Sequence, residues 1–158
     1  MRRIALTLTS LLVSLAPSFA ADVTGDWLVQ DKVARIRVEN CGGRMWGVVS
    51  WEKTPGTDKN NPDASLRSRP TLGMPIIMGM TPSKDPGKWE GTIYNSEDGK
   101  TYSASISLAS PDVLRVQGCV LGFLCGGENW TRVKLEARAP SARDICAKVG
   151  DATGSTRR

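Results

Sequence analysis

Residues 89–108 read WEGTIYNSEDGKTYSASISL and contain two strand-like segments joined by an Asp-Gly turn signal. After the turn, the apolar residues Tyr102, Ala104, Ile106 and Leu108 alternate without a break with serine and threonine. A period of two is typical of a strand with one buried face. Asp-Gly between two such segments indicates an antiparallel hairpin. This stretch therefore predicts an antiparallel sheet with one apolar face.

The same pattern recurs along the chain on both sides of this hairpin. No helical period interrupts it before the C-terminal tail. Evenly spaced short strands joined by turns predict an all-β fold, an antiparallel up-and-down barrel of about eight strands, because closure removes exposed edges. The predicted strands cover about residues 25–29, 34–39, 44–52, 74–80, 89–94, 101–108, 114–119 and 129–135.

The N-terminal twenty residues have the pattern of a secretory signal peptide. Arg2 and Arg3 precede an apolar run shorter than the ~20 residues that a membrane span needs, and small residues favour cleavage after Ala20. We expect the mature chain to be soluble and exported, periplasmic or secreted in a bacterium, with no transmembrane segment. We assign residues 21–136 to the barrel domain, 137–149 to a C-terminal extension with a short helix capped at Ser141, and 150–158 to a disordered tail.

The chain has four cysteines and no histidine. An even number of cysteines in an exported protein predicts two disulfides, and three connectivities are open. We favour Cys119 with Cys125, which would close a turn, and Cys41 with Cys146, which would attach the tail helix to the barrel. A zinc site is not expected, because the chain has neither C-x2-C spacing nor histidine ligands.

Charge and composition exclude several function classes. Removal of Arg2 and Arg3 lowers the net charge from +5 to +3, with 19 basic residues against 16 acidic ones, and the basic residues are scattered. We therefore expect no nucleic-acid partner. Without histidine, and with all cysteines expected to be oxidised, nucleophilic triads are excluded. We expect a non-enzymatic protein without a cofactor or a metal.

The one long polar connection covers residues 58–73. Its two aspartates and two arginines lie close enough in sequence for ion pairs to fix the loop, which is the interpretation we favour. The aspartate and asparagine oxygens of the loop could bind calcium, but their spacing is not that of an EF-hand. The remaining enzymatic alternative is that the two carboxylates act as a general acid and a general base. The arginines could instead recognise a carboxylate or phosphate group. The loop motif consists of Asp58, Asn61, Asp63, Arg67 and Arg69.

The first and last predicted strands carry a pattern that resembles a known fold. Gly25-x-Trp27, with Arg132 on the last strand, is similar to the lipocalin-like (calycin) arrangement, in which an arginine covers the tryptophan of the first strand. A wider combination over residues 23–133 resembles the family of small exported bacterial proteins known as domain of unknown function 2147. The resemblance implies a compact lipocalin-like barrel in an envelope or secreted setting, and no particular activity. Its motifs include Cys41-Gly42, Asn61-Pro62-Asp63, Leu66-Arg67-x-Arg69-Pro70, Gly99-Lys100-x-Tyr102, Gly118-Cys119 and Trp130-x-Arg132.

The leading functional hypothesis is that the barrel binds a small, mostly apolar ligand. Eight-stranded barrels are just wide enough to be filled by side chains or to hold one small ligand. The small residues at positions 47, 91, 104 and 118 favour a cavity, and strict alternation along residues 44–52 places Trp51 on the same face as Met45, Gly47 and Val49. The candidate ligand-binding residues are Trp51, Trp89, Tyr102, Met74 and Met78.

The alternative is an interaction module of the envelope with a filled barrel. In that case residues 58–73 and the apolar turn at residues 120–124 would contact an envelope protein or a glycan.

Overall fold

The structure is a computed structural model that describes residues 22–120, 124–134 and 142–152. Each of its eight strands pairs antiparallel with the next, and β1 also pairs with β8, so the sheet closes into a barrel. The predicted all-β, up-and-down barrel of about eight strands is confirmed. The strands are β1 Gly25–Leu28, β2 Ala34–Cys41, β3 Arg44–Glu52, β4 Pro75–Pro82, β5 Lys88–Asn95, β6 Lys100–Ser110, β7 Val113–Val120 and β8 Leu124–Val133.

A single α-helix in the described residues, α1 Ala142–Ala152, packs on the outside of the barrel. Ile145 and Val149 are buried against Val48 on the outer face of β3. Cys146 of the helix forms a disulfide with Cys41 at the end of β2. The helix extends three residues beyond its predicted end at residue 149, so residues 150–152, which were expected to be disordered, are helical.

The second disulfide joins Cys119 to Cys125, which are opposite each other on β7 and β8. Both disulfides therefore connect the pairs that the sequence favoured. Four expectations lie outside the described residues. They are the signal peptide at residues 1–20, the helix cap at Ser141, the tail from residue 153, and the middle of the apolar turn at residues 121–123.

One end of the barrel is closed by Trp27 and Arg132. Trp27 is fully buried, and its indole Nε1 donates a hydrogen bond to the carbonyl of Val23 at 2.9 Å. The guanidinium carbon of Arg132 lies 4.1 Å from the centroid of the Trp27 ring. Arg132 also donates hydrogen bonds to the carbonyls of Asp22 and Thr24, at 2.7 and 2.8 Å. These bonds fix the N-terminal segment across what we call the closed end.

The opposite end, the open end, carries the connections β1–β2, β3–β4, β5–β6 and β7–β8. Near the closed end the barrel interior is filled by large apolar side chains, including Trp27, Met45, Met80, Ile106 and Leu114. Towards the open end the interior is not filled. The barrel interior is therefore packed near the closed end and contains a cavity near the open end.

Candidate ligand-binding cavity

A cavity of about 620 Å³ lies in the part of the barrel nearest the open end and reaches the connections there. Its apolar wall includes residues from seven of the eight strands, β2 to β8, and from the turn that follows β1. Gly118 on β7 adds no side chain to this wall, and a β-carbon built there would lie 3.9 Å from Ile93 and Tyr102. The apolar and aromatic lining residues are Val29, Val33, Ala34, Ile36, Val49, Ile76, Ile93, Tyr94, Tyr102, Val116 and Trp130.

Polar groups line the cavity at two levels. Glu128 lies inside the barrel on β8, directly opposite Val116 of β7. The indole Nε1 of Trp130 donates a hydrogen bond to Glu128 Oε1 at 2.5 Å, which orients the carboxylate. The other charged residues lie near the open end, in the connections or at their edges. They are Asp31, Glu52, Lys53 and Glu97.

The β3–β4 loop, residues 53–74, is held by one buried carboxylate. Asp58 is fully buried and accepts hydrogen bonds from Tyr94 Oη at 2.6 Å, from Asn61 Nδ2 at 2.7 Å and from Arg69 Nη2 at 2.6 Å. Burial by itself raises the pKa of Asp58, but the hydrogen bonds from Tyr94, Asn61 and Arg69 outweigh burial, and the pKa lies below its ordinary value. Burial and the bond to Asp58 raise the pKa of Tyr94. Tyr94 thus belongs to both the loop anchor and the cavity wall.

The same loop covers one side of the open end. Asn60 Nδ2 donates hydrogen bonds to the carbonyls of Ser96 and Glu97 in the β5–β6 turn, at 3.2 and 2.6 Å. Gly56 and Thr71, from the two arms of the loop, line the cavity and are joined by a hydrogen bond from Thr71 N to Gly56 O at 3.1 Å. The loop therefore forms part of the cavity wall.

The remaining residues of the loop motif have local structural contacts. Asp63 Oδ1 accepts a hydrogen bond from the backbone N–H of Ser65 at 2.9 Å and caps a short 3₁₀ helix, Ala64–Leu66. The hydrogen bonds from Ser65 lower the pKa of Asp63. Arg67 Nε donates to the carbonyl of Asn61 at 2.8 Å. Arg67 therefore orders the loop through a backbone carbonyl, whereas Arg69 does so through an ion pair.

Of the five side chains expected at the ligand, Tyr102 lines the cavity and Trp51 does not. Trp51 is 38% exposed and is opposite Arg35, whose guanidinium carbon lies 5.0 Å from its ring centroid. The cause is a β-bulge, since Arg35 pairs with Trp51 but Ile36 pairs with Val49, which leaves Ser50 as an extra residue. An extra residue reverses the alternation beyond it. The placement of Trp51 on the inner face was therefore wrong.

The other three expected side chains also lie away from the cavity. Trp89 packs against the main core near the closed end, at the start of β5. Met78 is opposite Thr92 and alternates with the buried Ile77, which places it on the outer face of β4. Met74 is buried just before β4 but is not part of the cavity wall.

Gly118 is the one small residue of the expected four that opens the cavity. A β-carbon at Gly47 would lie 3.0 Å from Ile36 and Ile77, and one at Gly91 would lie 2.8 Å from Met80. Neighbouring side chains thus fill the space that those two glycines leave. Ala104 belongs to the packed core.

Glu128 and Trp130 were not predicted as cavity residues. The last strand was expected to begin at residue 129, whereas β8 begins at Leu124 because its N-terminal half pairs with β7 up to the Cys119–Cys125 disulfide. Alternation traced backwards from Trp130 would have placed Glu128 on the inner face.

Comparisons with known proteins support the fold. The family described as "Uncharacterized protein conserved in bacteria" (DUF2147) matches residues 25–132. A solved structure, described as "Protein HP1028 from the human pathogen Helicobacter pylori belongs to the lipocalin family", superposes with a TM-score of 0.70 at 19% sequence identity. The match covers 82% of this chain and 99% of that one. No curated protein matches the chain. In the described part of the chain, no helix has the length and apolar character required to cross a membrane.

Proposed function

Since the chain belongs to the DUF2147 family of bacterial proteins and folds as a lipocalin-like barrel, we propose that it is a non-enzymatic binding protein. It takes a small, mostly apolar ligand into the cavity at the open end of the barrel. The ligand is held by side chains of the barrel wall, and the β3–β4 loop covers part of the opening.

The observation that carries this proposal is the cavity itself. Its volume of about 620 Å³ lies within the range of roughly 300–1,000 Å³ that is typical of small-molecule sites. Eleven of the lining residues are aliphatic or aromatic and nine are polar, the polar ones mostly near the open end. Small-molecule sites likewise combine apolar surface with polar groups that orient the ligand. Apolar surface transferred from water into this wall provides the main driving force for binding. A barrel interior filled by side chains would have left no such space.

The proposed location is the bacterial envelope. Two disulfides support it, because disulfides persist in oxidising compartments. The signal-peptide pattern at residues 1–20 supports it as well. N-terminal sequencing of the protein recovered from its producing bacterium tests this part. Cleavage after Ala20 is expected, and a mature protein that retains residues 1–20 would contradict it.

The binding test uses Gly118→Leu, which places a side chain into the cavity without a strained backbone. A neutral apolar fluorophore, N-phenyl-1-naphthylamine, reports occupancy by an increase in emission. The wild-type protein should bind it saturably at one site, and Gly118→Leu should abolish the signal. Gln117→Leu is the matched control, because residue 117 lies beside Gly118 on β7 and alternation points its side chain outwards.

Thermal unfolding of the three proteins shows that each is folded. Binding that is absent in the wild-type protein, or equal in the wild-type and Gly118→Leu proteins, would contradict the proposal.

One observation favours the alternative, an interaction module. Leu72 in the β3–β4 loop, and Val120 and Leu124 at the strand ends next to the β7–β8 connection, are exposed apolar side chains at the open end. Exposed apolar patches often mark contact surfaces. The alternative receives no support from Arg69, whose guanidinium is paired with Asp58. Leu72→Ser together with Leu124→Ser should leave fluorophore binding unchanged. Loss of a co-purifying envelope protein in that double variant would favour the alternative.

A further inference from the structure

Glu128 places a negative charge inside the cavity. It shares the inner face of β8 with Trp130, at the level of Val116, and its side chain is only partly exposed. The hydrogen bond from Trp130 Nε1 orients one carboxylate oxygen. An indole N–H is a neutral donor, so this bond fixes the carboxylate without neutralising its charge.

Glu128 has no cationic partner in the described part of the protein. The ion pairs formed within residues 22–120, 124–134 and 142–152 all involve other carboxylates. A carboxylate drawn from water into a mainly apolar wall is destabilised unless a cation or several donors compensate for the lost hydration. A cationic group on a ligand would supply that compensation, and an anionic group would increase the repulsion.

The opening of the cavity carries a net negative charge, as Glu128 does. Asp31, Glu52 and Glu97 lie there with a single basic residue, Lys53. Together with Glu128 they give the lining a formal charge of −3, four acidic residues against one basic, although the whole chain carries +5. Clefts lined by one sign of charge concentrate ligands of the opposite sign. The cavity lining is thus negative, whereas the chain as a whole is positive.

Aromatic rings add a second contribution. Tyr94, Tyr102 and Trp130 line the cavity, and the faces of such rings attract cations. Resting on the proposed function, we propose that the cavity selects an organic amine, a ligand with an apolar body and a positively charged nitrogen that pairs with Glu128. Fatty acids and other apolar anions of the same size are rejected.

Three probes with the same ten-carbon chain distinguish the contribution of ligand charge to the affinity from the contribution of apolar burial. Decylamine and decanoate are titrated below their critical micelle concentrations, and decanol below its solubility limit, at neutral pH, where the amine is positive and the acid is negative. Isothermal titration calorimetry gives the dissociation constants. Wild-type protein should bind decylamine at least about tenfold more tightly than decanoate, the size of effect expected for one charge-assisted hydrogen bond. Decanol should lie between them.

Glu128→Gln identifies the residue responsible. Glutamine keeps a carbonyl oxygen that accepts from Trp130 but has no charge, so decylamine affinity should fall by about tenfold while decanol affinity changes less than about twofold. Glu90→Gln is the matched control. Glu90 is exposed on β5, outside the cavity, where it pairs with Lys88 at 2.9 Å, and its replacement should leave the order of the three probes unchanged.

The outcomes distinguish this inference from the proposed function. Equal binding of all three probes by the wild-type protein, or a preference for decanoate, would overturn the inference and leave the binding function intact. A folded Glu128→Gln protein that keeps the wild-type preference for decylamine would also overturn the inference and leave the binding function intact. Absence of binding by all three probes would overturn both. The comparison of decylamine with decanoate uses wild-type protein only, so it decides the question even if Glu128→Gln does not fold.

Discussion

Asp58→Asn tests whether a single buried carboxylate holds the β3–β4 loop over the cavity. Asp58 is fully buried and accepts hydrogen bonds from Tyr94, Asn61 and Arg69. Asparagine is nearly isosteric, but it has one acceptor oxygen instead of two, and its NH₂ group would face one of these donors. The substitution also leaves the Arg69 guanidinium without its ion pair.

The expected loss of stability follows from these contacts. Removal of one partner of a buried ion pair typically costs ~3–5 kcal/mol. Because 35% of the Arg69 side chain is exposed and can be hydrated, the lower end applies, and we expect unfolding to become easier by about 3 kcal/mol. For a domain of this size, that lowers Tm by roughly 12 °C. Asp63→Asn is the control, since Asp63 is exposed and asparagine caps a helix as well as aspartate does.

The pH dependence gives an independent test of the same carboxylate. The pKa of Asp58 is lowered in the folded protein. Its contribution to stability is therefore complete above the ordinary aspartate pKa of about 3.9 and is lost as the pH falls through the lower folded value. The difference in unfolding free energy between wild-type protein and Asp58→Asn should be largest at neutral pH and narrow below about pH 4. Urea unfolding from pH 3 to 7 measures it. The reasoning would be refuted if Asp58→Asn were as stable as Asp63→Asn throughout.

Three other contacts can be tested by single substitutions followed by thermal unfolding. Cys41→Ser releases α1 from the barrel and should cost roughly 2–5 kcal/mol, so an unchanged Tm would mean that the helix is held without the disulfide. Arg132→Ala uncovers Trp27 and removes hydrogen bonds to the N-terminal segment. We expect it to lower the free energy of unfolding by about 2 kcal/mol and to alter the near-ultraviolet circular dichroism spectrum. An unaltered spectrum would contradict the described closure of this end of the barrel. Gly99→Ala and Gly87→Ala both strain a positive φ, but only the β-carbon at position 99 would collide with the Asn60 carbonyl. Gly99→Ala should therefore lower Tm at least twice as much, and equal losses would show that the loop does not rest on the turn.

The sequence was sufficient to predict the strands and their closure, because period-two alternation and turn residues are local signals. It was not sufficient to predict the inner face of every strand. The extra residue at Ser50 reverses the side on which Trp51 lies, and a bulge depends on pairing with a neighbouring strand rather than on local sequence. Trp51, one of the two tryptophans that were expected at the ligand, is on the outer surface for this reason.

The sequence was sufficient to identify Asp58, Asn61 and Arg69 as residues that hold the loop, but not Tyr94 and not all of the contacts. Ion pairs between the two aspartates and the two arginines of the loop were expected, without assigned partners. Asp58 and Arg69 form one, whereas Arg67 contacts a backbone carbonyl. The bond from Tyr94 could not be predicted, because it joins residues 36 positions apart that meet only when the barrel closes. Glu128 was missed because the last strand was expected to begin at residue 129, just after Glu128, whereas β8 begins at Leu124. Long-range pairing therefore accounts for most of what the sequence did not reveal.

Native mass spectrometry of protein isolated from its own bacterial envelope is the most direct test of the binding function. The wild-type protein should carry a non-covalently bound small molecule that is released on unfolding, and Gly118→Leu prepared in the same way should not. Gln117→Leu should retain the molecule. If the wild-type protein shows only the mass of the bare polypeptide under conditions gentle enough to preserve non-covalent complexes, the cavity holds no ligand and the account is contradicted.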